Sequence, residues 1–135
     1  MATETKQRYI EAVGRRKTAI ARVRITPALK SSFLINDKEV KDYFSTPDLQ
    51  SIAQEAIGKS EVGEKFAVTV HVLGGGIHAQ AEAVRHGLSR TLVERDENVK
   101  NTLKKLGFLK RDSRQVERKK FGLKKARKAP TWSKR

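Results

Sequence analysis

The sequence predicts an α+β domain, a sheet with helices packed on it, followed by a long basic tail. Three observations predict it. Short runs with a two-residue apolar period cluster before the first helical pattern, which argues against an alternating, doubly wound order. Longer segments further on repeat their apolar residues at helical spacing. The last 26 residues, 110–135, hold twelve Lys or Arg against only Asp112 and Glu117, so they carry +10 of the formal +15.

Residues 1–7 are polar and predict a frayed start. Tyr9 to Gly14 is a short apolar-rich run that ends in a Gly-Arg-Arg-Lys turn. From Ala19 to Ile25 the pattern alternates: Ala19, Ala21, Val23 and Ile25 share one side, Ile20, Arg22 and Arg24 the other. This is a half-buried strand with a basic outer side, and the two runs form a hairpin. Phe33 to Ile35 is a third short strand closed by the turn residues Asn36 and Asp37. Thr46 then offers a helix cap, Pro47 suits the first helical position, and Asp48 suits the first turn. Leu49, Ile52, Ala53, Ala56 and Ile57 follow at helical spacing, with Gly58 as the exit. Phe66, Val68, Val70 and Val72 mark a fourth strand, which Gly74, Gly75 and Gly76 break. Ile77, Ala81, Val84, Leu88 and Leu92 define one face of a long helix, with Arg85 and Arg90 off that stripe. A shorter helix carries Val99, Leu103 and Leu106 and stops at Gly107.

The chain divides into a domain at 1–109, net charge near +5, and the tail at 110–135. A domain of that length supports one hydrophobic core. With no cysteine, the chain has neither disulfides nor thiolate metal sites and fits a reducing compartment. The first ten residues have no apolar stretch of a secretory signal, and no run approaches the roughly 18 apolar residues of a membrane span. A soluble, intracellular protein is expected, and a pI near 10.4 points to an anionic partner.

Chemistry-bearing motifs are few. Gly14 to Thr18 superficially resembles a phosphate loop, but it lacks the second glycine directly before Lys-Thr that lets backbone N–H groups cradle phosphates. A basic hairpin tip on nucleic-acid backbone fits it better, with a solvated turn as the plain alternative. Gly74 to Gly76 allow close approach of another backbone or of a phosphate, and a tight strand-to-helix turn explains them equally. His78 and His86 stand eight residues apart on one helix, about 12 Å along its axis, too far to share an ion. With His71 they read as surface or RNA-facing groups. Ser89 sits in Gly-Leu-Ser-Arg, which is no nucleophile elbow, and the scattered carboxylates form no acid–base pair. The sequence thus predicts no enzyme, no cofactor and no metal.

The tail reads differently. Its basic residues come in pairs and triplets, arginine is frequent, and Phe121 and Trp132 offer stacking surfaces. Its apolar residues follow no period, so it does not bury enough surface to order itself and takes its shape from a polyanion.

Four ordered blocks carry a resemblance. They are Gly14 to Ala19 with Ala21 to Arg24; Gly74 to Ile77 with Gln80, Ala81 and Arg85 to Gly87; Gly107 to Arg114; and Glu117 to Ala129 with Ser133, Lys134 and Arg135. On these the chain closely resembles the family of bacterial-type small-subunit ribosomal protein nine. It departs at Asn36-Asp37-Lys38, where the family often has Asn-Gly-Lys, and at Thr131-Trp132, where Gln and Phe or Tyr are usual. The resemblance implies a left-handed β-α-β crossover like that of the second domain of ribosomal protein five. It implies a structural, non-enzymatic place in the head of the small subunit, on cytoplasmic ribosomes with organellar ones left open. The implied partners are small-subunit ribosomal RNA, peptidyl-site tRNA and neighbouring head proteins, with no membrane and no small-molecule substrate.

The assigned ribosomal-RNA contacts of the domain are Arg15, Arg16, Lys17, Arg22 and Arg24, with Gly74, Gly75, Gly76, Gln80, Arg85, His86 and Arg90. Those of the tail are Lys110, Arg111, Arg114, Arg118, Lys119, Lys120, Lys124, Lys125, Arg127 and Lys128. Ser133, Lys134 and Arg135 are expected at the phosphates of the tRNA anticodon stem-loop. The competing readings are a nucleoid-type DNA-binding protein and, more remotely, a phosphate-loop NTPase.

Overall fold

In the computed structural model, which describes residues 8–134, alternation and helical spacing build one sheet with helices on one of its faces. The strands are β1 (Ile10–Arg16), β2 (Ala19–Pro27), β3 (Ser32–Ile35), β4 (Lys38–Glu39) and β5 (Phe66–Leu73). The helices are α1 (Val40–Tyr43), α2 (Pro47–Ser60), α3 (Ile77–Arg95) and α4 (Lys100–Lys105), with a 3₁₀ turn over Glu97–Val99. The sheet order is β1-β2-β5-β3-β4. Among the described residues only β3 and β5 pair parallel, and they are joined through α1 and α2 as a β-α-β crossover. The fold is the expected α+β arrangement.

The core follows the strand period. Ala19, Ala21, Val23 and Ile25 of β2 are buried, and in register beside them lie Val72, Val70 and Val68 of β5. Phe44, Ala53, Ala56, Val84, Leu88, Leu92 and Leu103 close this layer from the helical side. The alternate residues of β1, β2 and β5 form the other face, which no helix among the described residues covers.

The helices depart from expectation in instructive places. Thr46 occupies the cap position of α2 by its backbone, its carbonyl accepting the Gln50 N–H at 3.2 Å, while its hydroxyl makes no cap bond. Gly58 does not end α2. The helix runs to Ser60 and stops where Glu61 takes a left-handed φ of 54°. Ile77 is exposed, whereas Ala79, Ala83, Gly87, Ser89 and Thr91 are buried beside the expected stripe. The reason is that α3 packs on both the sheet and α2, so it needs two apolar sides. Ser89 and Thr91 tolerate burial because their hydroxyls donate to the Arg85 and Leu88 carbonyls.

The first turn also differs. Gly14 is not part of the hairpin tip. It lies within β1, and the tip is Lys17-Thr18, where Lys17 has φ 51°. A Cβ on Gly14 would stand 2.0 Å from the Ala83 carbonyl oxygen and 2.2 Å from the Gly87 nitrogen. Gly14 thus lets strand and helix backbones touch. Asn36 and Asp37, both with positive φ (49° and 66°), turn β3 back into β4, a return strand too short to show a period.

Candidate nucleic-acid interface

The uncovered sheet face carries the first group of predicted contacts. Arg22 and Arg24 project from β2 on this side, and the Glu11 carboxylate of β1 lies between them. Arg24 donates to Glu11 at 2.8 Å and stacks over the Tyr9 ring at 4.6 Å, which orients its guanidinium. Arg22 is freer, 3.8 Å from Glu11 and 55% exposed. His71 is the cross-strand partner of Arg22, and Leu73 that of Ile20, so exposed apolar side chains adjoin the arginines.

The β1–β2 tip and the triple glycine meet. Gly74 and Gly75, with φ of 76° and 64°, lie directly over Thr18 and Ala19, and a Cβ on Gly74 would sit 2.6 Å from the Thr18 carbonyl oxygen. The close approach that these glycines permit is therefore backbone to backbone. Gly76 is the open one, at the N-terminal cap of α3. Gln80 braces this turn: its amide donates to the Gly74 carbonyl at 3.0 Å and accepts from the Tyr43 hydroxyl at 2.5 Å. Asn36 completes the brace by pairing with both backbone groups of Val72.

Two predicted contact arginines have partners inside the fold. Arg16 points to the helix side, only 14% exposed, where it pairs with Glu82, with Asp112 at 3.1 Å and with the Arg114 carbonyl at 2.9 Å. Arg85 binds Glu55 at 3.0 Å and lies over the Phe108 ring at 4.9 Å, tying α3 to α2 and to the chain after α4. Their charge is legible in the sequence, but their partners, which lie far away in the chain, are not.

Arg15, His86, Arg90, Arg111 and the Lys17 backbone form a third group. The Arg15 N–H donates to His86 Nδ1 at 3.2 Å, Arg90 donates to the Val13 carbonyl at 2.6 Å, and Arg111 reaches the Lys17 carbonyl at 3.5 Å. Burial lowers the His86 pKa below its usual 6.5; the Leu109 carbonyl opposes this, and the Arg90, Arg111 and Arg85 charges add to it. Asp112 is held far below the usual carboxylate range, first by its side-chain bonds to Arg114, whose own pKa rises in return.

Past Arg114 the tail leaves the core. Val116, Phe121 and Trp132 are exposed, as are Arg118, Lys119, Lys124, Lys125, Arg127 and Lys128. Lys110 is exposed as well. Glu117 pairs with Lys120 and with Arg127, and the Lys124 N–H donates to the Lys128 carbonyl at 2.8 Å, so the basic stretch folds into local turns. Ser133 and Lys134 are exposed, and Arg135 lies outside the described residues. Among the described residues no group of three or more His, Asp or Glu is placed to hold a metal. No helix among them is long and apolar enough to cross a membrane.

A sheet with one bare basic face, a root of arginines and an uncovered cationic tail define a polyanion-binding α+β protein. The phosphate-loop reading fails on geometry, since Gly14 lies inside a strand against Gly87. The chain belongs to the ribosomal protein S9/S16 family, whose model matches it over residues 14–135. It is accordingly a structural, RNA-binding component of the small ribosomal subunit that serves translation, associated with ribosomal RNA and other ribosomal proteins.

Proposed function

We propose that residues 1–109 dock on small-subunit ribosomal RNA in the head of the particle while residues 110–135 thread between RNA segments toward the peptidyl-tRNA site. One observation carries this reading: beyond Arg114 a chain rich in Lys and Arg stands away from the core, within the family match. Such a segment neutralises phosphates where converging RNA strands repel one another. Fully extended, 26 residues reach roughly 86 Å at about 3.3 Å each, enough to cross much of a ribonucleoprotein domain.

On the domain side, Arg22, Arg24 and the neighbouring Arg15 and Lys17 meet RNA backbone, and Gly76 opens the start of α3 to it. At the far end Ser133, Lys134 and Arg135 approach tRNA phosphates, an interaction that reads no sequence and therefore serves every tRNA. The protein performs no chemical step, and its workplace is the cytoplasmic or an organellar ribosome.

Deleting only Ser133 to Arg135 is expected to leave subunit assembly intact, because ten tail Lys and Arg remain. It is expected to weaken peptidyl-site tRNA by about 1.5–3 kcal/mol at most, the value of a charge-assisted hydrogen bond, to similar degrees for different tRNAs. Equilibrium binding of several tRNAs to intact and truncated subunits checks this. Equal affinities for both subunits remove the tRNA interaction, and a weakening confined to one tRNA indicates base readout instead.

A further inference from the structure

Where β1, α3 and the root of the tail come together, a cavity of about 320 Å³ opens, lined by Val13, Arg15, His86, Arg90 and Arg111. The choice of arginines there is informative. Arg16, Arg22, Arg24, Arg85, Arg95 and Arg114 each have a carboxylate oxygen at 3.8 Å or less. Among the described residues, Arg15, Arg90 and Arg111 have no carboxylate partner, and no acidic side chain lines the cavity. Asp112, next to Arg111 in sequence, is turned to Arg114 and Arg16.

Arg90 and Arg111 place their guanidiniums at this cavity beside the exposed Arg15 with no counter-charge, so the local potential is positive and an anion that enters is attracted to all three. Donors remain for it. Each guanidinium has five N–H groups; Arg90 commits one to the Val13 carbonyl, and Arg111 uses two on the Lys17 and Asp112 carbonyls. The Arg15 side chain makes no hydrogen bond among the described residues. His86 is a positioning residue. Its Nδ1 accepts the Arg15 backbone N–H, and burial with the surrounding cations disfavours protonation of its ring. The space far exceeds the roughly 30 Å³ share of one water, so a tetrahedral oxyanion fits with its hydration. No aromatic side chain besides His86 lines it, so nothing there selects a base.

We propose that this cavity seats one phosphate group, a backbone phosphodiester of ribosomal RNA in the assembled particle, and that the bound phosphate clamps the tail root to β1 and α3. The source of the phosphate rests on the RNA-docking reading above; the seat itself does not. Because the three arginines come from three elements, one phosphate fixes the direction in which the chain leaves the domain after Arg114.

The test is a nuclear magnetic resonance titration of the full chain with inorganic phosphate at constant ionic strength. The expected result is saturable shifts confined to the Arg15 amide, the His86 ring and the Arg90 and Arg111 Nε–H groups. His86 should also titrate at higher pH once the anion is bound. R15Q, which removes a side chain with no partner among the described residues, should weaken phosphate about tenfold, and R90Q/R111Q should abolish saturation. Linear shifts spread along the tail would overturn the seat. A second arm measures binding to a small-subunit ribosomal RNA fragment, where R15Q should lower the salt slope by about 0.7–0.9. An unchanged slope beside a saturable phosphate site would overturn RNA as the source and leave free phosphate as the ligand. No RNA binding by the unmodified chain, with phosphate still saturable, would keep the seat and overturn the docking reading.

Discussion

Gly14 and Gly87 let β1 and α3 touch backbone to backbone, and the junction admits no side chain. Gly14→Ala should cost about 3 kcal/mol, the upper end of overpacking, because the atoms it meets are main chain and cannot swing away. Gly58→Ala is the matched control: it lies in α2 with nothing within 4 Å of a new Cβ, so it should stabilise by about 0.5–1 kcal/mol. Urea midpoints of the two variants should move in opposite directions. The Gly14 junction was not legible in the sequence. Beside Arg-Arg-Lys a glycine reads as a turn, and its partner lies 73 positions away. His86 makes a separate prediction. Its folded pKa is lowered, so below about pH 6.5 the unfolded chain binds a proton that the folded chain refuses. Stability should therefore fall as pH drops from about 6.5 to the folded pKa, then level off as far as this group is concerned. Melting curves across that range, with His86→Gln as the variant that loses this dependence, check the sign.

At the level of elements, the hairpin of β1 and β2 offers its cations to two different places. Arg16 faces inward to Glu82 and Asp112, whereas Arg22 and Arg24 face the bare side. The alternation of β2 made that division legible for Arg22 and Arg24, because a strand has only two sides. It could not reveal that Glu11 stands between them, since register across a hairpin depends on the turn. That carboxylate shapes the experiment. Charge reversal at both arginines would crowd three carboxylates on one face and confound docking with stability. Arg22→Gln with Arg24→Gln avoids this. It should leave the melting temperature within a few degrees, since exposed ion pairs contribute about 0–1 kcal/mol. The salt slope of binding to a ribosomal RNA fragment should fall by about 1.5, the change expected when two phosphates are no longer neutralised. A sharp drop in melting with an unchanged slope would place these arginines in the fold and not on RNA. The long elements β2, β5, α2 and α3 were legible because each spans enough residues to show its period. The two-residue β4 and the four-residue α1 show none and emerge only from the tertiary packing of Val40 and Phe44.

Over the whole molecule charge is segregated. Residues 36–65, which hold β4, α1 and α2, contain seven acidic and four basic side chains in a chain of net +15. Acidic side chains are thus in excess along the crossover, and cations are in excess on the bare sheet face, α4, the tail root and the tail. The basic tail starts at residue 110 by charge, and the bonds of Arg111, Asp112 and Arg114 fasten its root to the domain. Charge statistics cannot see such a fastening, because Arg111 and Arg114 look like every other tail cation. Two truncations separate the parts. Ending the chain after Arg114 removes nine of the twelve tail Lys and Arg and leaves the core packing whole. Its melting temperature should match the full chain, while its salt slope on ribosomal RNA falls by about 0.7–0.9 for each phosphate that the tail no longer neutralises. Ending it after Leu109 also strips Asp112 and the Arg114 carbonyl from Arg16, a cation only 14% exposed that would keep Glu82 alone. Losing hydrogen bonds to a charged, largely enclosed group costs about 1.5–3 kcal/mol, so this shorter chain should fold but melt lower. Equal melting of the two truncations would show that the root only rests on the domain, and unfolding of the longer one would show that residues beyond Arg114 belong to the core.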